Sequence, residues 1–246
     1  GRPSSWSAEI DAVTSGADDS RKRLFIISAG NVTDSNDYRR YPDSNLSSSV
    51  HNPGQSWNAL TVGAFTSKIQ IQDTMLQNYR PVADKGELSP FSTTSLLWPK
   101  RKWPLKPEVV FEGGNVAIGP NDSVVDAEDL QLISTYHDPQ ITQFAPFDQT
   151  SAAAAQAAWM AAQIQASYPD AWPETVRALI VHTAEWTDAM KRQFLPESAG
   201  KEAYERFLRI CGYGVPNLER ALHCAANSLT LICQNELQPY SVRDGR

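Results

Sequence analysis

Short apolar runs, bounded by small or polar residues, alternate along the chain with helical patterns. Arg23 to Asn31, "RLFIISAGN", is a continuous apolar run that ends in small residues. A run of this kind reads as a strand buried on both faces of a parallel sheet. "NALTVGAF", Asn58 to Phe65, is a second such strand, and "PEVVFEGG", Pro107 to Gly114, is a third, closed by paired glycines. The segment before the first strand, around "WSAEIDAVTSGA", predicts a helix ending near Gly16. Ser-, Asn- and Pro-rich loops such as "YPDSNLSSSVHNPGQS" separate the strands. Helices dominate the second half. The first runs from about Ser151 to Ser167. Another opens at Pro173 in "WPETVRALIVHTAEW", where Pro suits the first turn and Glu174 suits the dipole. A third follows Pro216 in "VPNLERALHCAA", and "LTLICQ" reads as a late strand. The polar stretch Leu195 to Glu205 reads as an exposed excursion. No internal repeat is present. Alternating strands and helices give an α/β class with a parallel sheet flanked by helices. Sites in such folds lie in loops beyond the C-terminal strand ends, where Asn31 and Gly113-Gly114 fall.

Composition narrows the picture. The 246 residues are 41% hydrophobic and 20% charged, which is ordinary for a globular chain. A formal net charge of -6 does not indicate an overall basic surface for nucleic acid. No apolar run is long enough to span a membrane, and the opening "GRPSSWSAEIDAV" has no signal-peptide pattern. The three cysteines, Cys211, Cys224 and Cys233, lack metal-ligand spacing and do not form a disulfide framework, so a reducing, cytoplasmic setting is expected. The acidic stretch "DSVVDAEDLQL" lacks regular ligand spacing, and no metal or cofactor is assigned. "PKRKWPLKP", Pro99 to Pro107, reads as a solvated basic loop.

Two positions carry candidate chemistry. Ser151 opens the alanine-rich helix "QTSAAAAQAAWMAA". It reads as an N-terminal cap, or as a nucleophile whose own N–H and helix dipole stabilise an oxyanion. Small residues on all sides of that helix suit a tightly packed core. Asn31 follows a buried strand. It reads as a turn residue, or as an amide donor to a developing oxyanion.

The ordered set "FIISAGN", "WNALTVGA", "LSPFST", "KPEVVFEGGNV", "QTSAAAAQAAWMAA", "ETVRALIVHTA" and "GYGVPNLERAL" resembles the C-terminal part of a subtilisin-like serine protease, a subtilase. The blocks run from about Leu24 to Leu222 in family order. The alanine-rich helix with "WPETVRAL" is similar to a subgroup often encoded beside AAA-type ATPases. The resemblance implies a subtilisin-like sheet without its N-terminal strands, over residues 1–226, with a terminal strand and tail at 227–246. It implies Ser151 as nucleophile and Asn31 as oxyanion donor. Ser28, Ala29 and Gly30 match the segment that lines the primary specificity pocket, and Gly113 and Gly114 match structural glycines. Implied partners are a protein or peptide substrate and an AAA-type ATPase.

The pattern also breaks. The family's Asp and His both precede the Asn, yet Asp11, Asp18 and Asp19 lie in a helix and turn, and no His precedes His51. His51 lies in the loop "SVHNPGQ". His137 in "YHDPQ" is the one tempting surrogate base, whereas His182 reads as a core histidine and His223 as helix surface. Gln149 replaces the family's Gly before Thr-Ser, and Ala155 replaces its helix Pro. A chain without base and orienting acid is expected to be inactive alone. Three accounts follow. The chain is a fragment whose Asp and His lie upstream of Gly1, which is favoured; a second chain supplies them; or the protein is a catalytically dead subtilase-like binding module for a peptide or partner protein. The incomplete sheet is expected to pack against the missing N-terminal part, another chain or an oligomer partner.

Overall fold

The computed structural model describes residues 4–99, 103–222 and 232–236. Three parallel strands form the central sheet in the order β1-β2-β4: β1 Ile26–Ser28, β2 Leu60–Phe65 and β4 Val109–Glu112. The register pairs Ile26 with Leu60 and Val62 with Val109. Five short strands lie outside it. β3 Arg80–Pro81, β5 Ala117–Ile118 and β6 Val124–Val125 make one small antiparallel sheet, and β7 Leu132–Thr135 with β8 Phe144–Phe147 makes a hairpin.

Eight helices surround the sheet among the described residues: α1 Ser5–Ser15, α2 Ser35–Tyr38, α3 Asp43–Ser47, α4 Gln149–Ser167, α5 Pro173–His182, α6 Asp188–Phe194, α7 Lys201–Cys211 and α8 Leu218–Leu222. Side chains of β2 and β4 alternate between two cores, as the strand period dictates. Leu60, Val62, Ala64, Val109 and Phe111 pack with Ala153, Ala157, Met160 and Ile164 of α4 and with α5 and α8. Val110 points the other way, into Leu88, Met190, Phe207, Ile210 and Cys211. The parallel sheet flanked by helices is the architecture expected from the alternation.

Several expectations need correction. β1 is half-buried, not buried on both faces, because it is an edge strand bonded to β2 alone. The polar stretch 195–205 has no buried residue, as expected, but its second half is already the first turn of α7, whose Phe207, Ile210 and Cys211 are buried at helical spacing. His182 is exposed at the end of α5 rather than in the core. Lys106, at the end of the basic stretch, is fully buried: its Nζ donates to Ala59 O at 2.9 Å and to Glu108 Oε1 at 2.5 Å. Arg177 donates to the same Glu108 oxygen at 2.7 Å, and Glu108 Oε2 accepts from the Thr61 N–H. The terminal strand expected beyond residue 226 lies largely outside the described residues, and 232–236 has no regular structure.

Candidate functional site

The C-terminal ends of β1 and β4 meet the N-terminus of α4, and this junction gathers the predicted residues. Beyond β1 the chain runs through Ala29 and Gly30 to Asn31. Ala29 N donates to Val62 O at 2.8 Å, Gly30 adopts φ 96°, and Asn31 bridges Ser92. The Thr93 hydroxyl donates to Ala29 O at 2.9 Å, which holds this segment from behind.

Beyond β4, Gly113 is packed so closely that a Cβ would lie 2.4 Å from the Ala64 Cβ and 3.1 Å from Gln149 O. Only glycine lets the start of α4 come this near the sheet. Gly113 O in turn accepts from Gln149 N at 2.7 Å. Gln149 has φ 67°, in the left-handed region. The glutamine thus adopts a backbone conformation that glycine takes without steric cost, and α4 starts from it.

Asn31 and α4 are joined through Thr150. Asn31 Oδ1 accepts from Thr150 N at 2.9 Å and from the Thr150 hydroxyl at 2.7 Å. The hydroxyl carries one proton, and its contact to Gly30 O is longer, at 3.2 Å. With the amide oxygen doubly occupied, Asn31 presents its Nδ2 as donor, and Nδ2 donates to no group among the described residues. Asn31 itself is half-buried and Thr150 buried, so this orientation is held in the interior.

Ser151 follows, exposed, in the first turn of α4. Its N–H is among the first four of the helix, which have no intrahelical acceptor, and the helix dipole adds partial positive charge there. An N-terminal helix N–H, a side-chain NH₂ without a partner among the described residues and an exposed serine hydroxyl thus share one end of the sheet. Asp148, just before the helix, makes no capping bond. Burial pushes its carboxyl above the usual range, a 2.6 Å hydrogen bond from Gln131 pulls it back, and the Asp126 charge pushes it up again.

No general base reaches Ser151 among the described residues. His137 sits in the turn between β7 and β8, stacked on Tyr136 at 4.2 Å between ring centroids, while Ser151 follows the base of that hairpin. Asp11 is structural, accepting from the Ser56 hydroxyl at 2.6 Å and the Asn58 N–H at 2.8 Å. Asp19 pairs with Arg23, whose guanidinium pulls its pKa down to about 2. No group of three or more metal-ligating side chains occurs among the described residues, and none of the described helices is long and apolar enough to cross a membrane. Sequence reasoning missed the positioning role of Thr150, although it stood in "QTS". It also missed the packing of His51 on Gly30, for which no local pattern exists.

Comparison with known proteins identifies a family and a fold. The model of the subtilase family, peptidase family S8, matches residues 1–214. A curated protein of Sinorhizobium fredii, "Uncharacterized protein y4bN", is 27% identical over 96% of this chain and 56% of its own length. A solved protease from Pseudoalteromonas arctica is similar in fold, with a TM-score of 0.52 at 17% identity, over 92% of this chain and 48% of that one. The crystal structure of MycP1 with its N-terminal propeptide removed aligns with a TM-score of 0.45 at 18% identity, over 93% of this chain and 57% of that one. The chain spans about half the length of the relatives it matches.

Proposed function

The chain belongs to the subtilase family, and we propose that it carries the nucleophile half of a serine endopeptidase catalytic domain. The observation that carries this reading is the Thr150–Asn31 pair. It turns the Asn31 amide so that a free NH₂ lies beside the N-terminus of α4, where Ser151 begins. In this reading Ser151 Oγ attacks the scissile carbonyl carbon, and a C–O bond forms while the carbonyl π pair moves to oxygen. The oxyanion is held by the Ser151 N–H and Asn31 Nδ2. A histidine oriented by an aspartate takes the Ser151 proton and passes it to the leaving amine. Water then hydrolyses the acyl-enzyme. Ser28, Ala29 and Gly30 form the wall against which the acyl-side residue lies.

The acid and base belong to a part of the protease that this chain does not contain, upstream of Gly1. The relatives are about twice as long as the stretch matched here, which leaves room for such a part. The chain alone is therefore inactive. An AAA-type ATPase remains the proposed partner, on the strength of the alanine-rich α4 and "WPETVRAL".

A fluorophosphonate probe tests the reading on full-length protein. Labelling at Ser151, abolished by Ser151→Ala, is expected. Properly folded full-length protein that resists the probe overturns it and leaves the binding-module reading standing.

A further inference from the structure

The wall formed by Ser28 to Gly30 has an occupant that its sequence does not announce. A Cβ built on Gly30 would lie 2.4 Å from His51 Cγ and 2.5 Å from His51 Nδ1. The imidazole therefore fills the space that a side chain at position 30 would take. The loop holds it there from both sides. His51 N donates to Ala29 O at 2.8 Å, and Gly54 N donates to His51 O at 2.8 Å. Val50, next to it, is buried against Ala29 and Trp98. The ring itself is exposed, and among the described residues it has no hydrogen-bond or ion-pair partner.

We propose that His51 is a specificity-determining residue, which selects a short carboxylate side chain on the residue whose carbonyl is attacked. This rests on the reading of Ser28–Gly30 as the substrate wall. Two properties of the site carry it. The first is volume: an imidazole over Gly30 takes up depth that a long or bulky apolar side chain would need. The second is polarity. The wall's own acceptors face inward, since Thr93 donates to Ala29 O and Thr150 lies within 3.2 Å of Gly30 O. Among the described residues, the polar side chains left without a partner at this wall are the His51 imidazole and the Ser28 hydroxyl. Each offers a donor, and two donors at close range are matched best by a carboxylate. Aspartate satisfies both conditions. Leucine and phenylalanine fail the first, lysine fails both, and asparagine satisfies the volume but forgoes the charge-assisted bond.

Full-length protein and a peptide series varied only at the acyl-side residue provide the test. Aspartate peptides are expected to exceed leucine and phenylalanine peptides in kcat/KM by about tenfold or more. His51→Gly opens the space and removes the donor, so bulky apolar residues gain and the preference inverts. His51→Leu keeps the volume without the donor, so the acidic preference falls about tenfold with no gain for phenylalanine. An unchanged aspartate preference in His51→Leu overturns the proposal. If full-length protein cleaves none of the series, the protease reading fails, and the inference is then read by binding. The His51 Cε1–H resonance is followed during titration with N-acetyl-aspartyl and N-acetyl-leucyl peptide amides. A saturable shift with the aspartyl peptide alone sustains the proposal, and no shift, or equal shifts, overturns it.

Discussion

At the scale of single residues, the site depends on which end of one amide faces outward. Asn31 presents NH₂ because Thr150 fills its oxygen with two donors. Asn31→Leu is expected to lower kcat of full-length protein by about 10²–10³ with little change in KM, because the donor acts on charge that develops in the transition state. Thr150→Val removes one of the two anchors and keeps the backbone bond, so its loss is smaller, about tenfold, and again falls on kcat. Steady-state kinetics with one peptide substrate distinguish the two. Gln149 is a separate case, since φ 67° places a Cβ-bearing residue in a region that costs it about 1–2 kcal/mol. Gln149→Gly removes that strain but gives the unfolded chain more freedom. A net stabilisation of up to about 1 kcal/mol is expected in chemical denaturation. Next to it, Asp148 has a folded pKa raised chiefly by burial. Between the ordinary carboxylate value and the raised one, the folded state holds more protons than the unfolded state, so this group's contribution to stability falls as pH rises through that window. Asp148→Asn carries no such penalty. Relative to the parent it gains Tm at pH 7, and the gain shrinks as pH is lowered toward 4. A pH-independent difference would show that the Asp148 charge is not the cause.

At the scale of elements, the strands and the long helix follow from apolar runs and caps visible in the chain. α1 ends where Gly16 enters the left-handed region, and α5 starts at Pro173, both as the residues indicate. α7 was not legible in the same way, because Lys201, Glu202, Glu205 and Arg206 make its sequence look wet while Phe207, Ile210 and Cys211 carry its buried face. The site divides similarly. Asn31 and Ser151 were legible as a pair through the order of motifs, since no local pattern links residues 120 positions apart. The Gly30–His51 contact was not, because it depends on how a loop between strands folds back. Lys106 shows the same limit. Its sequence neighbours are basic and polar, yet the β2–β4 junction buries it against Glu108, and burial lowers its pKa. Glu108→Ala strands a buried ammonium and is expected to cost about 3 kcal/mol or more. Lys106→Met removes the ammonium instead and leaves Glu108 with Arg177 and the Thr61 N–H, so its cost should be well below that. Urea denaturation of the two variants gives the comparison. Equal losses would mean that the network contributes by packing rather than by charge.

At the scale of the whole molecule, α4 leaves an apolar side uncovered. A helix apolar all round is a buried helix. One side of α4 is buried through Ala153, Ala157, Met160 and Ile164. The opposite side, with Ala155, Ala158, Trp159 and Ala162, is exposed, and Trp159 is 58% accessible. The exposed side runs on into a groove of about 440 Å³ lined by Leu24, Ile26, Ala158, Ala162 and Val176. β1 borders that groove and is bonded on one side only, whereas the outer edge of β4 is covered, with Val110 N donating to Gly214 O at 3.0 Å and Tyr213 N to Glu108 O at 2.7 Å. An open strand edge beside an apolar face is a template for another strand and its packing layer. With relatives about twice as long, we propose that the remaining part of the catalytic domain is the natural occupant. The chain prepared alone is therefore expected to self-associate at micromolar concentration in sedimentation velocity. Trp159→Arg should reduce that association while leaving the fold intact by circular dichroism, because its side chain lies outside the core. Full-length protein should sediment as a single species in which Trp159 is shielded from a fluorescence quencher. A well-folded monomer of the chain alone, with Trp159 equally quenched in both proteins, would mean that this face is not covered by the rest of the domain.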